Sequence, residues 1–167
     1  MSHNEEPVQI CTRVLDLEGW YLDNRDWQRW LDLYCEDAVY WVPAWLDENT
    51  ETQDPRAEIS QIYHQTKEAL AERVSRVESG LSVTTMPLAR TTHFVSNLMV
   101  TESAGERIAA RANMQVHVFQ PRTAQQYVNF GYYEVQLKQV DQQWLIAAKT
   151  IHLKNDLIPA LVDFYTL

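Results

Sequence analysis

TTHFVSNLMVTESAGERIAARANMQVHVFQPRTAQQYVNFGYYEVQLKQVDQQWLIAAKTIHLK, residues 91–154, decides the fold, because it reads as four long strands with turn chemistry between them. From Ile108 to Val118 every even position is apolar (Ile108, Ala110, Ala112, Met114, Val116, Val118), while Arg107, Arg111, Asn113, Gln115 and His117 mark the odd face. That is period two with one face buried. Along Gln126 to Val140, Val128, Phe130 and Tyr132 share one face and Tyr127, Tyr133, Val135 and Leu137 the other; past Glu134, Gln136 and Lys138 make the first face polar. A strand covered on both sides at its start and on one side at its end is expected of a bent sheet. Thr91 to Thr101 and Trp144 to Leu153 supply the flanking strands, the latter with Leu145, Ala147, Ile151 and Leu153 on one face. Ala104-Gly105, Pro121 with Arg122-Thr123, and Asp141-Gln142 are the turns.

Working outward, the upstream half supplies covering elements. A helix is expected from about Pro7 to Leu22, with Ile10, Val14, Leu17 and Tyr21 as its stripe; Val8, Cys11, Leu15, Glu18 and Leu22 do not align cleanly. Asp23-Asn24 breaks it, and Asp26 is placed to cap a second helix, Trp27 to Tyr34, with Trp27, Trp30, Leu31 and Tyr34 inward. Ala38 to Val42 reads as a strand halted by Pro43. A long acidic loop, Trp45 to Pro55, follows, and Ala57 to Tyr63 fits either a short strand or a helix. Thr66 opens a helix carrying Ala69, Leu70, Val74 and Val77 and closed by Gly80. Ser79 to Arg90 is a second loop, and the tail from Asp156 to Leu167 has helix-like Leu157, Leu161 and Phe164.

This order predicts one α+β domain over residues 1–167, with a helical part at about 7–80 and a sheet meander at about 91–154. The expected arrangement is a curved antiparallel sheet with N-terminal helices packed on it, the cystatin-like cone of the nuclear transport factor and ketosteroid isomerase superfamily. Its concave face would hold a pocket.

Composition narrows the function classes. The chain has 23 acidic against 14 basic residues, a formal charge of -9, with the basic residues scattered, so nucleic acid is not expected as a partner. No apolar run approaches a membrane span and the N-terminus, Met-Ser-His-Asn-Glu-Glu-Pro, lacks a leader pattern, so no membrane partner and a cytoplasmic location are expected. Cys11 and Cys35 carry no metal-ligand spacing and fit a reducing compartment. The aromatic load of 6 Trp, 8 Tyr and 4 Phe suits core, pocket and subunit interface alike, and composition does not choose among them.

Neither cysteine has a His within three residues, which disfavours a Rieske cluster in this chain. His64, His93, His117 and His152 are the candidates for a mononuclear iron triad, but a lone strand histidine is more often surface or hydrogen-bonded core. Dinucleotide, phosphate-loop and serine-elbow motifs are absent, and Glu36 and Asp37 disfavour a thiolate at Cys35. The remaining catalytic option is acid–base work in the cone, with Asp23, Asp37, Tyr40 and His93 as its candidates. Each has a bland counterpart: turn and cap residues for Asp23 and Asp37, a strand aromatic for Tyr40, a hydrogen-bonded sheet residue for His93.

As a set, several segments resemble the small, or β, subunit of aromatic-ring-hydroxylating dioxygenases. They are Tyr21-Leu22-Asp23-Asn24-Arg25-Asp26-Trp27 with Trp30-Leu31-Asp32-Leu33-Tyr34, and Asp37-Ala38-Val39-Tyr40-Trp41-Val42-Pro43-Ala44-Trp45. Glu58-Ile59-Ser60-Gln61-Ile62-Tyr63, Met86-Pro87, Arg90-Thr91-Thr92-His93 with Ser96-Asn97, and Leu153-Lys154-Asn155-Asp156 complete them. The set looks closest to the benzoate, toluate, anthranilate and 2-halobenzoate branch; His64 after Tyr63, and Gln125-Gln126, depart from the benzoate pattern and leave the aromatic substrate open.

The resemblance implies a structural subunit with no catalytic, cofactor-binding or metal residues of its own. In that family a large α subunit holds the Rieske 2Fe-2S cluster and the mononuclear iron, a separate reductase brings electrons from NADH, and three α assemble with three β chains. The alternative is a stand-alone cone-fold lyase or isomerase acting on a cyclic small molecule, with Asp23, Tyr40 and His93 around the pocket. A third reading is a pocketed binding or scaffold protein with no oxygenase partner.

Overall fold

The four expected strands form, and two more precede them. The computed structural model describes residues 6–81 and 86–167. In chain order they comprise α1 (Pro7–Asp23), α2 (Trp27–Asp32), β1 (Tyr34–Pro43), β2 (Ser60–His64), α3 (Lys67–Glu78), β3 (Arg90–Ala104), β4 (Arg107–Gln120), β5 (Gln125–Val140) and β6 (Gln143–Leu153). A single 3-10 turn, Phe164–Thr166, closes the chain. The strands make one sheet in the order β2-β1-β6-β5-β4-β3. Its meander, β3 to β6, is antiparallel as expected, whereas β1 joins β6 in parallel.

Several boundaries move. α2 stops at Asp32, so Tyr34 begins β1 instead of ending the helix, and Asp26 makes no capping bond; its carboxylate pairs with Arg29 at 3.5 Å. Ser60 to His64 is a strand, paired with β1 through Tyr40 opposite His64. Thr66 caps α3 by accepting the Ala69 N–H at 3.2 Å, and Gly80 takes the left-handed conformation just past Ser79. The tail forms no α-helix: Leu157 and Leu161 are exposed, while residues 163–167 are buried. Part of the expected loop, residues 82–85, lies outside the described residues, as do residues 1–5.

Side-chain alternation in β4 follows the expected phase, with all six even positions from Ile108 to Val118 buried. In β5 the odd positions face inward, including Tyr133, Val135 and Leu137. The outer face of its first half is less covered than expected, since Phe130 is 46% exposed. β6 departs most. One extra residue lies between Ile146, opposite Leu137, and Ala148, opposite Gln136, and this bulge reverses the strand's phase. Ile146 therefore faces inward before it, and Lys149, Ile151 and Leu153 after it, instead of Leu145 and Ala147.

Tight contacts set the curvature. At Gly131 a Cβ would lie 1.8 Å from the His152 carbonyl oxygen, so β5 and β6 approach there only because the side chain is missing. Gly19 plays the same part where α1 crosses β3: a Cβ would sit 3.0 Å from the His93 Cβ. The acidic loop is fastened rather than loose, for Thr52 is fully buried, its N–H bonds the Ala44 carbonyl at 2.8 Å, and the Glu58 carboxylate accepts two backbone N–H groups at 2.6 and 2.8 Å.

Candidate functional site

The inner stripe of α1 is Ile10, Cys11, Val14, Leu15, Glu18 and Leu22 rather than Ile10, Val14, Leu17 and Tyr21. The reason is spacing: Cys11, Leu15, Glu18 and Leu22 recur at four, three and four residues and so share one helix face, Glu18 among them. Glu18, 2% exposed, points into the cone and meets Lys149, 1% exposed, at 2.6 Å. The same carboxylate accepts the Tyr34 hydroxyl and the Trp30 indole N–H, the latter at 3.3 Å, and the Lys149 ammonium lies 3.7 Å from the centre of the Tyr133 ring. A buried carboxylate is tolerable only with its acceptor sites filled, and here they are. Burial pulls the Lys149 ammonium below its ordinary range against the opposing pull of Glu18, and burial followed by the Glu18 charge pushes the Tyr34, Tyr40 and Tyr133 hydroxyls well up. These phenols stay protonated at neutral pH.

Two of the sequence candidates come together beside this cluster. Asp23, at the end of α1, accepts three hydrogen bonds from β3: the Thr91 hydroxyl at 2.9 Å, the His93 backbone N–H at 3.0 Å and His93 Nδ1 at 2.5 Å. Thr91 and His93 share the face turned toward α1, which is what period two on a strand provides. The other ring nitrogen, Nε2, lies 3.0 Å from the main-chain oxygen of Leu167. Both nitrogens thus lie within hydrogen-bond distance of an oxygen, and the His93 side chain is 3% exposed.

Tyr40 does not join them. Its ring packs 6.4 Å from Trp30 and 6.3 Å from Tyr34, and its buried hydroxyl has no hydrogen-bond partner. Asp37 is exposed on β1, away from the interior, which removes it from any pocket. Trp30, Tyr34, Tyr40 and Tyr133 are all 2% exposed or less, so rings fill the middle of the cone. The tail closes it. Phe164 stacks on Trp30 at 4.8 Å, Asn129 donates to the Thr166 carbonyl at 2.8 Å, and Arg73 clasps Asp163 with two bonds at 2.9 and 3.1 Å.

The remaining histidines are dispersed. His117 sits on the outer face of the sheet, 5.3 Å from the Phe94 ring, and His152 stacks on Tyr132 at 4.5 Å with Glu51 at 2.8 Å. Among the described residues no three His, Cys, Asp or Glu side chains converge to hold a metal ion, so the donor set does not fit iron. Glu18 and Lys149 are what sequence reading missed. The clues were a carboxylate in register with Cys11, Leu15 and Leu22 on the helix, and a lysine sharing parity with Ile151 and Leu153.

Residues 18–160 match the family described as ring hydroxylating beta subunit. The chain belongs to that family. It is 33% identical to the beta subunit of benzoate 1,2-dioxygenase of Acinetobacter baylyi over 95% of this chain and 92% of that one. Against the beta subunit of toluate 1,2-dioxygenase of Pseudomonas putida the figure is 35%, over 89% of this chain and 90% of that one. The crystal structure of the benzoate 1,2-dioxygenase beta subunit of Burkholderia mallei superposes with a TM-score of 0.78 at 29% identity, covering 94% of this chain and 95% of that one. A Nostoc punctiforme protein with a cystatin-like fold superposes at a TM-score of 0.55 and 12% identity over 89% of this chain and 91% of that one, which speaks to fold alone. The expected cone is therefore the family's fold, and the expected family is the observed one.

Proposed function

We propose that this family member is the non-catalytic β subunit of a Rieske non-haem iron oxygenase that hydroxylates an aromatic acid of the benzoate or anthranilate type. It acts in the cytoplasm as one cone-fold unit, three copies with three large α subunits. The 2Fe-2S cluster and the mononuclear iron reside in the α subunit, and electrons arrive from NADH through a separate reductase. The names of the relatives support the oxygenase assignment. The observation that carries the structural role is the state of the cone: its aromatic residues fill it, the Glu18–Lys149 pair inside is closed on itself, and the Asp23–His93 pair has its outer nitrogen on Leu167. In this reading Asp23, Tyr40 and His93 serve packing and positioning.

The Asp23–His93 contact is also what a stand-alone lyase or isomerase would need, so one experiment addresses both readings. The chain is produced alone and together with its α partner. Co-elution of the two chains, with iron and ring hydroxylation present only when α is present, is the expected result. Bound iron, or turnover of a cyclic or aromatic acid by the lone chain, overturns the proposal, as does separate elution of the pair.

A further inference from the structure

β2, α3 and residues 161–164 enclose a surface cleft of about 400 Å³, within the range of pockets that hold small organic ligands. The helix side is built from Ala69, Glu72, Arg73 and Arg76, which recur at the three- and four-residue spacing of one helix face. Ala69 is the small member, and leaves space at the wall. Opposite stand His64 and Tyr63 from the end of β2, and Ile62, Leu161 and Val162 give an apolar side.

The polar groups divide into spent and unspent. Arg73 and Asp163 neutralise each other, and Asp163 also accepts the Phe164 N–H at 2.8 Å. Arg76 has neither an ion pair nor a side-chain hydrogen bond among the described residues, and the His64 ring has no hydrogen-bond partner there. The Tyr63 hydroxyl accepts from Gln65 at 2.7 Å and keeps its own proton to donate. Glu72 is the one carboxylate on the lining not already paired, and it works against an anion. Three side chains with a donor to spare, one a planar guanidinium fork, therefore share the cleft's lining with an apolar wall. A guanidinium with this geometry recognises carboxylates by paired hydrogen bonds.

We propose that this cleft binds a small ring-bearing carboxylate, its oxygens held by Arg76 with His64 and Tyr63 and its ring laid against Ile62, Leu161 and Val162. The site lies outside the cone and is independent of the oxygenase reading: it stands whether or not the chain assembles with a large subunit.

The test uses the full chain, with 4-fluorobenzoate as the probe followed by fluorine NMR and 4-fluorobenzamide as its uncharged counterpart. Saturable binding of the acid, at least fivefold tighter than the amide, is expected, with perturbed backbone amides confined to residues 61–64, 69–76 and 161–164. Arg76→Gln should weaken the acid at least fivefold and leave the amide unchanged. Ala69→Leu, which fills the wall without touching a donor, should weaken both. Equal binding of acid and amide, an unchanged dissociation constant in R76Q, or no saturation up to about 20 mM probe overturns the site. Loss of acid binding when the large subunit is bound, with the same amides protected, assigns the cleft to a partner side chain and likewise overturns it.

Discussion

Lys149 shows how one residue can set the character of an interior. Its ammonium sits among Glu18 and aromatic rings with no route to bulk water, so it is held by the carboxylate that it neutralises. Removing one member strands the other, which typically costs about 3–5 kcal/mol, whereas replacing both with apolar groups is close to neutral. Lys149→Met is accordingly expected to lower the unfolding free energy by about that amount, and Glu18→Leu with Lys149→Met to recover most of it, as read from urea denaturation midpoints. His64 gives a prediction in pH. Burial first, then the charges of Arg73 and Arg76, lower its pKa from the ordinary 6.5. Between the folded and unfolded values the unfolded chain holds the extra proton, so stability falls as pH drops through 6.5 and levels off below the folded value. Subtracting the His64→Gln profile from that of the unaltered chain, by denaturation between pH 8 and roughly 4.5, should isolate this slope; parallel profiles refute it.

Among the elements, β5 and β6 hold the most information about shape. Gly131→Ala drives a methyl into the His152 carbonyl, where the nearest atoms are all backbone of His152 and Leu153 and no side chain can swing away. A loss of at least about 2 kcal/mol is expected, with amide exchange accelerating first along residues 128–134 and 150–154. Much of this sheet could be read in advance. The six even positions of β4 align without interruption, and Ala104-Gly105 and Asp141-Gln142 mark its hairpins, with both residues of the second at positive φ. The bulge in β6 could not, because Leu145 and Ala147 are as apolar as Ile146 and only the partner strand fixes which of them turns inward. The tail failed for a related reason. Leu157, Leu161 and Phe164 have helical spacing, but its last five residues find their partners in Arg73, Asn129, His93 and Trp30, all distant in sequence. Asp23 and His93 stand out in the sequence only as separate candidates beside Asp37 and Tyr40; that they meet each other, and that Leu167 occupies the second nitrogen, no local pattern encodes.

For the molecule as a whole, the difference between a pocketed enzyme and a filled cone lies in a few closing contacts. Arg73→Ala leaves the buried Asp163 carboxylate without its clasp and should loosen residues 162–167. Faster amide exchange in that segment and increased binding of a hydrophobic dye are expected, with the sheet's exchange unchanged; an unaltered tail would show that Phe164 and Asn129 suffice.

The Glu18–Lys149 pair joins positions 131 residues apart, and β1 takes β6 as its parallel neighbour. During synthesis on the ribosome, β1 can pair with β2 early, but the Glu18 carboxylate of α1 must wait for β6 to emerge before it meets its partner. Until then that carboxylate sits in the middle of an otherwise apolar stripe of the helix, where in the unassembled chain it faces water instead of an ammonium.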